Sequence, residues 1–354
     1  MKVLGIETSC DECAAAVVQD GEKILSNIVM TQIPFHAPWN GVVPEIASRK
    51  HIEWIYAVTK EAIEKAGLTV ADIDAAAVTS RPGLLGSLLV GLTFAKAFSW
   101  ARNIPYIAVD HMLAHLYAPM LGIGKQEPGG SEQAANRING KPDYPFLGLL
   151  VSGGHTIICR ADNFDDITVL GTTIDDAAGE AFDKVAKYYN FGYPGGAVID
   201  KMSKEGDSGA FHFPMPSLHK GDHRYDVSYS GLKNAVINQL SKFKKKKGQH
   251  TNEDIAASFQ KTAVDILLRA LFNAAEDTRL TTIVAGGGVA ANSYLRSRLL
   301  EQTRLKCIFP PLDLCGDNGA MIAGIGYRYL ARGEKSPFNI TASARVSGFK
   351  KKYP

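Results

Sequence analysis

The feature that most constrains this chain is a strand–turn–strand pattern that occurs once at the start and again near the middle. Lys2–Thr8 carry the apolar run Val3-Leu4-Gly5-Ile6, the polar turn Ser9-Cys10-Asp11-Glu12 follows, and Ala14–Val18 form a second apolar run. Phe146–Val151, the turn Ser152-Gly153-Gly154-His155 and Thr156–Cys159 repeat the arrangement. An apolar run broken by a short polar or glycine turn and then resumed reads as a hairpin. Two such hairpins, each opening one half of the chain, predict a duplicated α/β, nucleotide-binding architecture with a cleft between the halves. Glycine turns there would let main-chain N–H groups approach a phosphate closely.

Length agrees with two halves. At 354 residues, the chain is long enough for two domains at a nominal ~150 residues each. Hydrophobic residues make up 45% and charged residues 21%, which excludes disordered and collagen-like classes. Five cysteines are too sparse, and odd in number, for a disulfide scaffold. The net charge of +3 does not announce a nucleic-acid binder, so any such contact must come from a local patch. No apolar signal region follows the N-terminus. The longest uncharged apolar stretch, between Arg81 and Lys96, is about 14 residues, short of the ~20 that span a bilayer. The expectation is a cytoplasmic protein with reduced thiols and no membrane contact.

Along the chain, Ile52–Ala66 show helical spacing and end at Gly67, a C-cap candidate. Asp74–Val78 read as a strand, then Arg81-Pro82-Gly83 lead into an apolar helix to about Ala101; Tyr106–Val109 form another strand, with a helix from about Asp110. Residues 122–143 are polar and aperiodic and read as a loop or linker. Helices are expected over Asp175–Asn190 and Asn252–Ala275, a strand over Thr282–Ala285, a helix around Asn292–Leu300 after Gly286-Gly287-Gly288, and a last apolar helix over Gly319–Tyr329. The domain expectation is an N-terminal lobe of residues 1–121, completed by a C-terminal helix at about 315–345, and a C-terminal lobe of 144–314.

His111 and His115, four apart on a helix, put both imidazoles on one side, the spacing of a metal-binding pair. The residues between them, Met112-Leu113-Ala114, include no carboxylate, so the H-E-x-x-H base of a zinc protease is missing. A third ligand must come from afar, and Asp317, in a turn before a helix, is the candidate. The two glycine turns, Ser152–His155 and Gly286–Gly288, suggest a phosphate and adenine cradle. Asp175 and Asp176 read as acids placed to favour a helix dipole. Asp183, two turns further on, faces a ligand ribose, and Gly196 in the Tyr193–Gly196 turn approaches the same ligand. Cys10-x-x-Cys13 lacks a second C-x-x-C and reads as coincidence; Cys159, Cys307 and Cys315 read as core. Basic runs at Lys242–Lys247 and Lys350–Lys352 are solvated unless they border the site.

Taken in order, Gly5–Glu12, Gly41–Arg49, His111-x-x-x-His115, Leu150–His155, Asp176–Lys184 and Ser230–Lys233 resemble one family, from about residue 1 to 330. It is that of the tRNA N6-adenosine threonylcarbamoyltransferases, once labelled O-sialoglycoprotein endopeptidases. The resemblance implies an actin/Hsp70/sugar-kinase-like (ASKHA) fold with the site between two lobes. It implies transfer of threonylcarbamoyl from threonylcarbamoyl-AMP to N6 of the adenosine 3′ of the anticodon, in tRNAs reading codons that begin with A. On this resemblance His111, His115 and Asp317 hold one divalent metal, Fe2+ or Zn2+. Leu150, Val151, Ser152, Gly153, Gly154, Asp183, Gly196, Asp200 and Asn292 hold the adenylate. Asp11 and Glu12 line the reacting end, where either would take the amine proton. The implied partners are tRNA, a degenerate paralogue forming a heterodimer, and a small P-loop ATPase. Leu113-Ala114 stand where Glu-Gly is common, Arg81 where glycine is usual, and Cys13 and Gly316 where threonine is usual. The alternatives are a non-catalytic ATP-binding scaffold of the actin/Hsp70 class and a metalloprotease.

Overall fold

The first hairpin forms because its two apolar runs pair and then bury both faces. In the computed structural model, which describes residues 1–122, 142–216, 218, 223–245, 250–345 and 350–351, β1 (Lys2–Glu7) and β2 (Glu12–Gln19) are antiparallel, with Gly5 opposite Ala16. β3 (Lys23–Thr31) adds to the outer side of β2. The short α1 (Ile33–His36) leads to α2 (Pro44–Lys65). Beyond it, β4 (Ala75–Arg81), α3 (Leu85–Arg102), β5 (Tyr106–Asp110) and α4 (His111–Tyr117) follow. The sheet order is β3-β2-β1-β4-β5, with β4 and β5 parallel to β1.

The second half repeats this plan. β6 (Phe146–Val151), β7 (Thr156–Ala161) and β8 (Ile167–Thr172) form an antiparallel meander. Helices α5 (Ala178–Tyr189), α6 (Gly195–Met202), α7 (Ser230–Lys245) and α8 (Asn252–Thr278) come next. β9 (Thr282–Gly286), α9 (Ser293–Leu300) and β10 (Lys306–Ile308) complete it, with β9 parallel to β6 and β10 parallel to β9. After α10 (Gly319–Ala331), β11 (Lys350–Lys351) pairs with β8. The order β10-β9-β6-β7-β8-β11 is therefore the first sheet's plan with one short strand added.

Two compact units result: Met1–Pro142 with Phe309–Phe349, and Asp143–Ile308 with Lys350–Pro354. The chain re-enters the first unit at Phe309, ahead of the expected position near 315. In that unit α10 lies on the sheet, and the fit depends on small residues. A Cβ on Gly5 would collide with the Gly319 carbonyl oxygen and come within 2.5 Å of Ala323 N; one on Gly319 would come within 2.5 Å of Ala16 N. Helix α2 turns Ile55, Val58 and Ala62 inward. No helix among the described residues is long and apolar enough to cross a membrane.

Several expectations shift. Helix α2 begins at Pro44, not Ile52, because proline suits the first turn of a helix. Strands β3 and β8 are not visible in the apolar pattern, since many of their side chains are only half-buried. Helix α5 starts at Ala178, so Asp175 and Asp176 do not serve its dipole. Asp175 instead accepts from Tyr229 N (2.8 Å) and Ser230 N (3.3 Å) at the start of α7. Asp176 pairs with Lys184 (2.6 Å) and Lys233 (2.7 Å). Gly195 and Gly196, read as a turn, already belong to α6. Of the expected linker, residues 123–141 lie outside the described residues, as do Lys246, Lys247 and Lys352 of the basic runs.

Candidate functional site

Strand β5 delivers Asp110 to the start of α4, where its Oδ1 accepts from Met112 N (2.9 Å). This cap fixes the first turn of the helix. His111 and His115 then project from one face, both buried, with their Nε2 atoms 3.1 Å apart. From the far end of the unit, the turn before α10 supplies Asp317. Asn318 holds that turn: its Oδ1 accepts from Met321 N (3.0 Å) and its Nδ2 donates to Gly316 O (2.9 Å) and Leu314 O (3.3 Å). Asp317 Oδ1 lies 3.1 Å from His115 Nε2 and 3.5 Å from His111 Nε2.

These three side chains could hold a metal ion. Bonds of about 2.0–2.2 Å place neighbouring ligand atoms about 3.3–3.6 Å apart in a tetrahedral centre and about 2.8–3.1 Å apart in an octahedral one. The observed triangle, with edges of 3.1, 3.1 and 3.5 Å, falls in that span. Two imidazole nitrogens and a carboxylate oxygen this close need a shared positive charge. In its absence the pair keeps a proton. Burial works against a charged His111, but Asp317 and Glu7 outweigh it and raise its pKa to about 9. Burial, then the charge on His111, lower that of His115.

Glu7, not singled out from the sequence, belongs to this cluster. It ends β1 fully buried, with Oε2 3.1 Å from His111 Nδ1. Ser9 N donates to its Oε1 and Thr79 Oγ1 to its Oε2. The signal available was a carboxylate at the end of an otherwise apolar, two-face-buried strand. The carboxylate absent between the two histidines in sequence is thus supplied to His111 from β1. Glu7 is nonetheless sealed from solvent and engaged by donors, so it cannot activate a water as a protease base would.

Asp11 and Glu12 sit in the β1–β2 turn and at the start of β2. Glu12 accepts from Thr31 Oγ1 (3.3 Å). Burial, then the charges of Asp317 and Asp11, push its pKa well up. Glu12 is therefore a carboxyl that holds a proton more readily than usual, in part because of the charge on Asp317. Cys10, raised by burial and by Asp11, and Cys13, pushed up to about 12 by burial and Glu7, are free thiols. Arg81 reaches Asp110 (3.3 Å) and so supports the cap of α4.

In the second unit the glycine turns and α5–α6 surround a cavity of about 480 Å³. Gly153, Asp183, Gly196, Asp200 and Asn292 all line it, together with Lys201, Lys204 and Gly288. Asp183 Oδ1 accepts from Gly195 N (2.7 Å). Asp200 Oδ1 accepts from Ser293 N (3.0 Å) and Oγ (2.8 Å), and Asn292 caps α9 through Leu295 N (2.9 Å). Helix α5 comes close to the β6–β7 turn because residue 179 is glycine: a Cβ there would sit 2.7 Å from Ser152 O. Leu150 and Val151 are buried strand residues, and neither they nor Ser152 and Gly154 line the cavity. Lys201, in α6, and Lys204, just past its end, were not read from the sequence because only the fold brings them to the cavity.

The family model described as TsaD, tRNA N6-adenosine threonylcarbamoyltransferase, matches residues 23–324. A protein of that name from Treponema denticola is 64% identical over 99% of each chain. One from Borreliella burgdorferi is 50% identical over 100% of this chain and 96% of its own. Among solved structures, HypF from T. kodakarensis matches at 14% identity with a TM-score of 0.58, over 94% of this chain and 48% of its own. Component A of the Acidaminococcus fermentans (R)-2-hydroxyglutaryl-CoA dehydratase matches at 15% identity with a TM-score of 0.51, over 94% and 99%. These structural likenesses bear on the fold, which is the actin/Hsp70/sugar-kinase type read in the sequence. With its duplicated sheets and near-full-length similarity to enzymes of one name, the chain belongs to the tRNA N6-adenosine threonylcarbamoyltransferase family.

Proposed function

We propose that the chain moves the threonylcarbamoyl group of threonylcarbamoyl-AMP onto N6 of the adenosine 3′ of the anticodon, in tRNAs reading codons that begin with A. The observation that carries this reading is the triangle of His111, His115 and Asp317 with the raised carboxyl of Glu12 beside it. A C–N bond forms at N6, the bond from the carbonyl carbon to the phosphate oxygen breaks, and AMP leaves. The donor is a mixed anhydride and already activated, so the weak amine nucleophile needs positioning more than a strong base. The amine proton passes to the carboxylate of Asp11 or Glu12. His111, His115 and Asp317 would hold Fe2+ or Zn2+, which would supply positive charge to a carboxylate or carbonyl oxygen of the donor.

The adenylate belongs in the cavity of the second unit. Gly153, Gly196 and Gly288 leave room for a close approach, Asp183 and Asp200 present carboxylates to ribose hydroxyls, and Lys201 and Lys204 balance phosphate charge. Leu150, Val151, Ser152 and Gly154 then act by shaping the strand and turn that carry Gly153. The working assembly includes a degenerate paralogue of this chain and a small P-loop ATPase, acting on tRNA in the cytoplasm.

The test is reconstitution with those partners, threonylcarbamoyl-AMP and unmodified tRNA, followed by mass spectrometry of the digested nucleosides. Threonylcarbamoyladenosine is expected with the wild type and is expected to fall at least a hundredfold with His111→Ala. Product formation that survives this substitution removes the metal triad from the mechanism. Nucleotide binding without any product leaves the scaffold alternative.

A further inference from the structure

We propose that Glu7 is a positioning residue that sets the imidazole tautomer of His111 and so makes its Nε2 a metal ligand. The inference rests on the metal reading of the triad given above and adds a residue outside it. Three observations carry it. Glu7 is fully buried at the end of β1. Its Oε2 lies 3.1 Å from His111 Nδ1, on the opposite side of the ring from the nitrogen that faces His115 and Asp317. Its two oxygens are each held by a donor, Ser9 N on Oε1 and Thr79 Oγ1 on Oε2.

A carboxylate offers only acceptors, so Nδ1 of His111 must be the protonated nitrogen and donate to Glu7. When the ring gives up its second proton, the lone pair then lies on Nε2, where the triangle needs it. Ser9 Oγ, 3.3 Å from the same Nδ1, can donate or accept and cannot make this choice alone. A carboxylate on the non-ligating nitrogen of a metal-binding histidine fixes ring orientation and raises ligand basicity, and losing it typically costs 10–100-fold in metal affinity.

The surroundings make Glu7→Gln an unusually pointed test. Ser9 N–H can only donate, so the glutamine carbonyl must stay at the Oε1 position. The amide NH2 then faces His111, while the Thr79 hydroxyl can rotate to accept. Nδ1 is thereby favoured to accept from the amide, and the proton shifts toward Nε2, from which a metal must displace it. Glutamine is nearly isosteric, so packing is retained.

The experiment is calorimetric titration of metal-stripped, full-length protein with Zn2+ for the wild type, Glu7→Gln and His115→Ala, with thermal unfolding of each metal-free form. Wild-type binding that His115→Ala abolishes, and that Glu7→Gln weakens about 10–100-fold at unchanged thermal stability, supports the proposal. Glu7→Gln binding within about twofold of wild type overturns it while leaving the metal site standing. Wild type that binds no Zn2+ at the triad overturns both. Should Glu7→Gln unfold, nitrogen-15 NMR of the zinc-loaded wild type decides: a proton on His111 Nδ1 supports the assignment, and a bare Nδ1 overturns it.

Discussion

At the residue scale, the chemistry of the first unit is a matter of which nitrogen or oxygen holds a proton. His111 keeps one up to about pH 9 without a metal, and a metal must displace it. Zinc binding is therefore expected to release about one proton per site near neutral pH, and affinity to rise about tenfold per pH unit until about pH 9. Titration calorimetry in two buffers of different ionisation enthalpy measures this, and a heat that is independent of buffer contradicts it. In the metal-free protein the sign is the reverse. A pKa raised from 6.5 to about 9 contributes stability that is complete below 6.5 and lost as the pH rises through 9, which urea unfolding across that range would show. The histidine pair was legible in the sequence because four-residue spacing on a helix is a local rule. Glu7 was not legible, because a carboxylate at the end of an apolar strand reads equally well as the first residue of a solvated turn.

At the element scale, α10 is the piece on which the first unit depends. Gly5 and Gly319 let β1 and the helix touch, and Gly5→Ala would drive a methyl group into the Gly319 carbonyl. That substitution is expected to destabilise the protein by about 3 kcal/mol, at the upper end for overpacking, measured by denaturant unfolding. Asn318→Ala removes the helix cap and the side-chain bonds that shape the Asp317 turn. It is expected to cost about 1–2 kcal/mol and to weaken zinc binding as well. A stability loss with unchanged zinc affinity would show that Asp317 does not depend on this turn. Apolar runs made α3 and α10 readable, and helical spacing made the body of α2 readable. The true start of α5 was unreadable because Asp175 and Asp176 are engaged by Tyr229, Ser230 and Lys233, more than 50 residues away. Only the tertiary structure decides between two helix N-termini that both want an acid.

At the scale of the whole molecule, two hairpins in the sequence announced two sheets of one plan, and both sheets follow it. The duplication was legible because each hairpin is local and contiguous. Strands β3 and β8 were not, because half-buried side chains leave little apolar pattern. The two units also differ in continuity. Residues 143–308 form nearly all of the second unit in one stretch, whereas the first needs both 1–142 and 309–349. Residues 143–308 produced alone are therefore expected to unfold cooperatively and to bind AMP within about tenfold of the full chain. Residues 1–142 alone are expected not to fold, since β1, β2 and β4 lose the buried face of α10. Circular dichroism melting and AMP titration of the two fragments check both expectations.

This discontinuity sets an order of events during synthesis. His111 and His115 leave the ribosome early, but Asp317 and the helix that seats it emerge only after residues 143–308 have been made. Until then the two histidines lack the carboxylate that completes the triangle. A chain terminated before Asp317 would therefore lack the triangle altogether rather than hold a partly formed one.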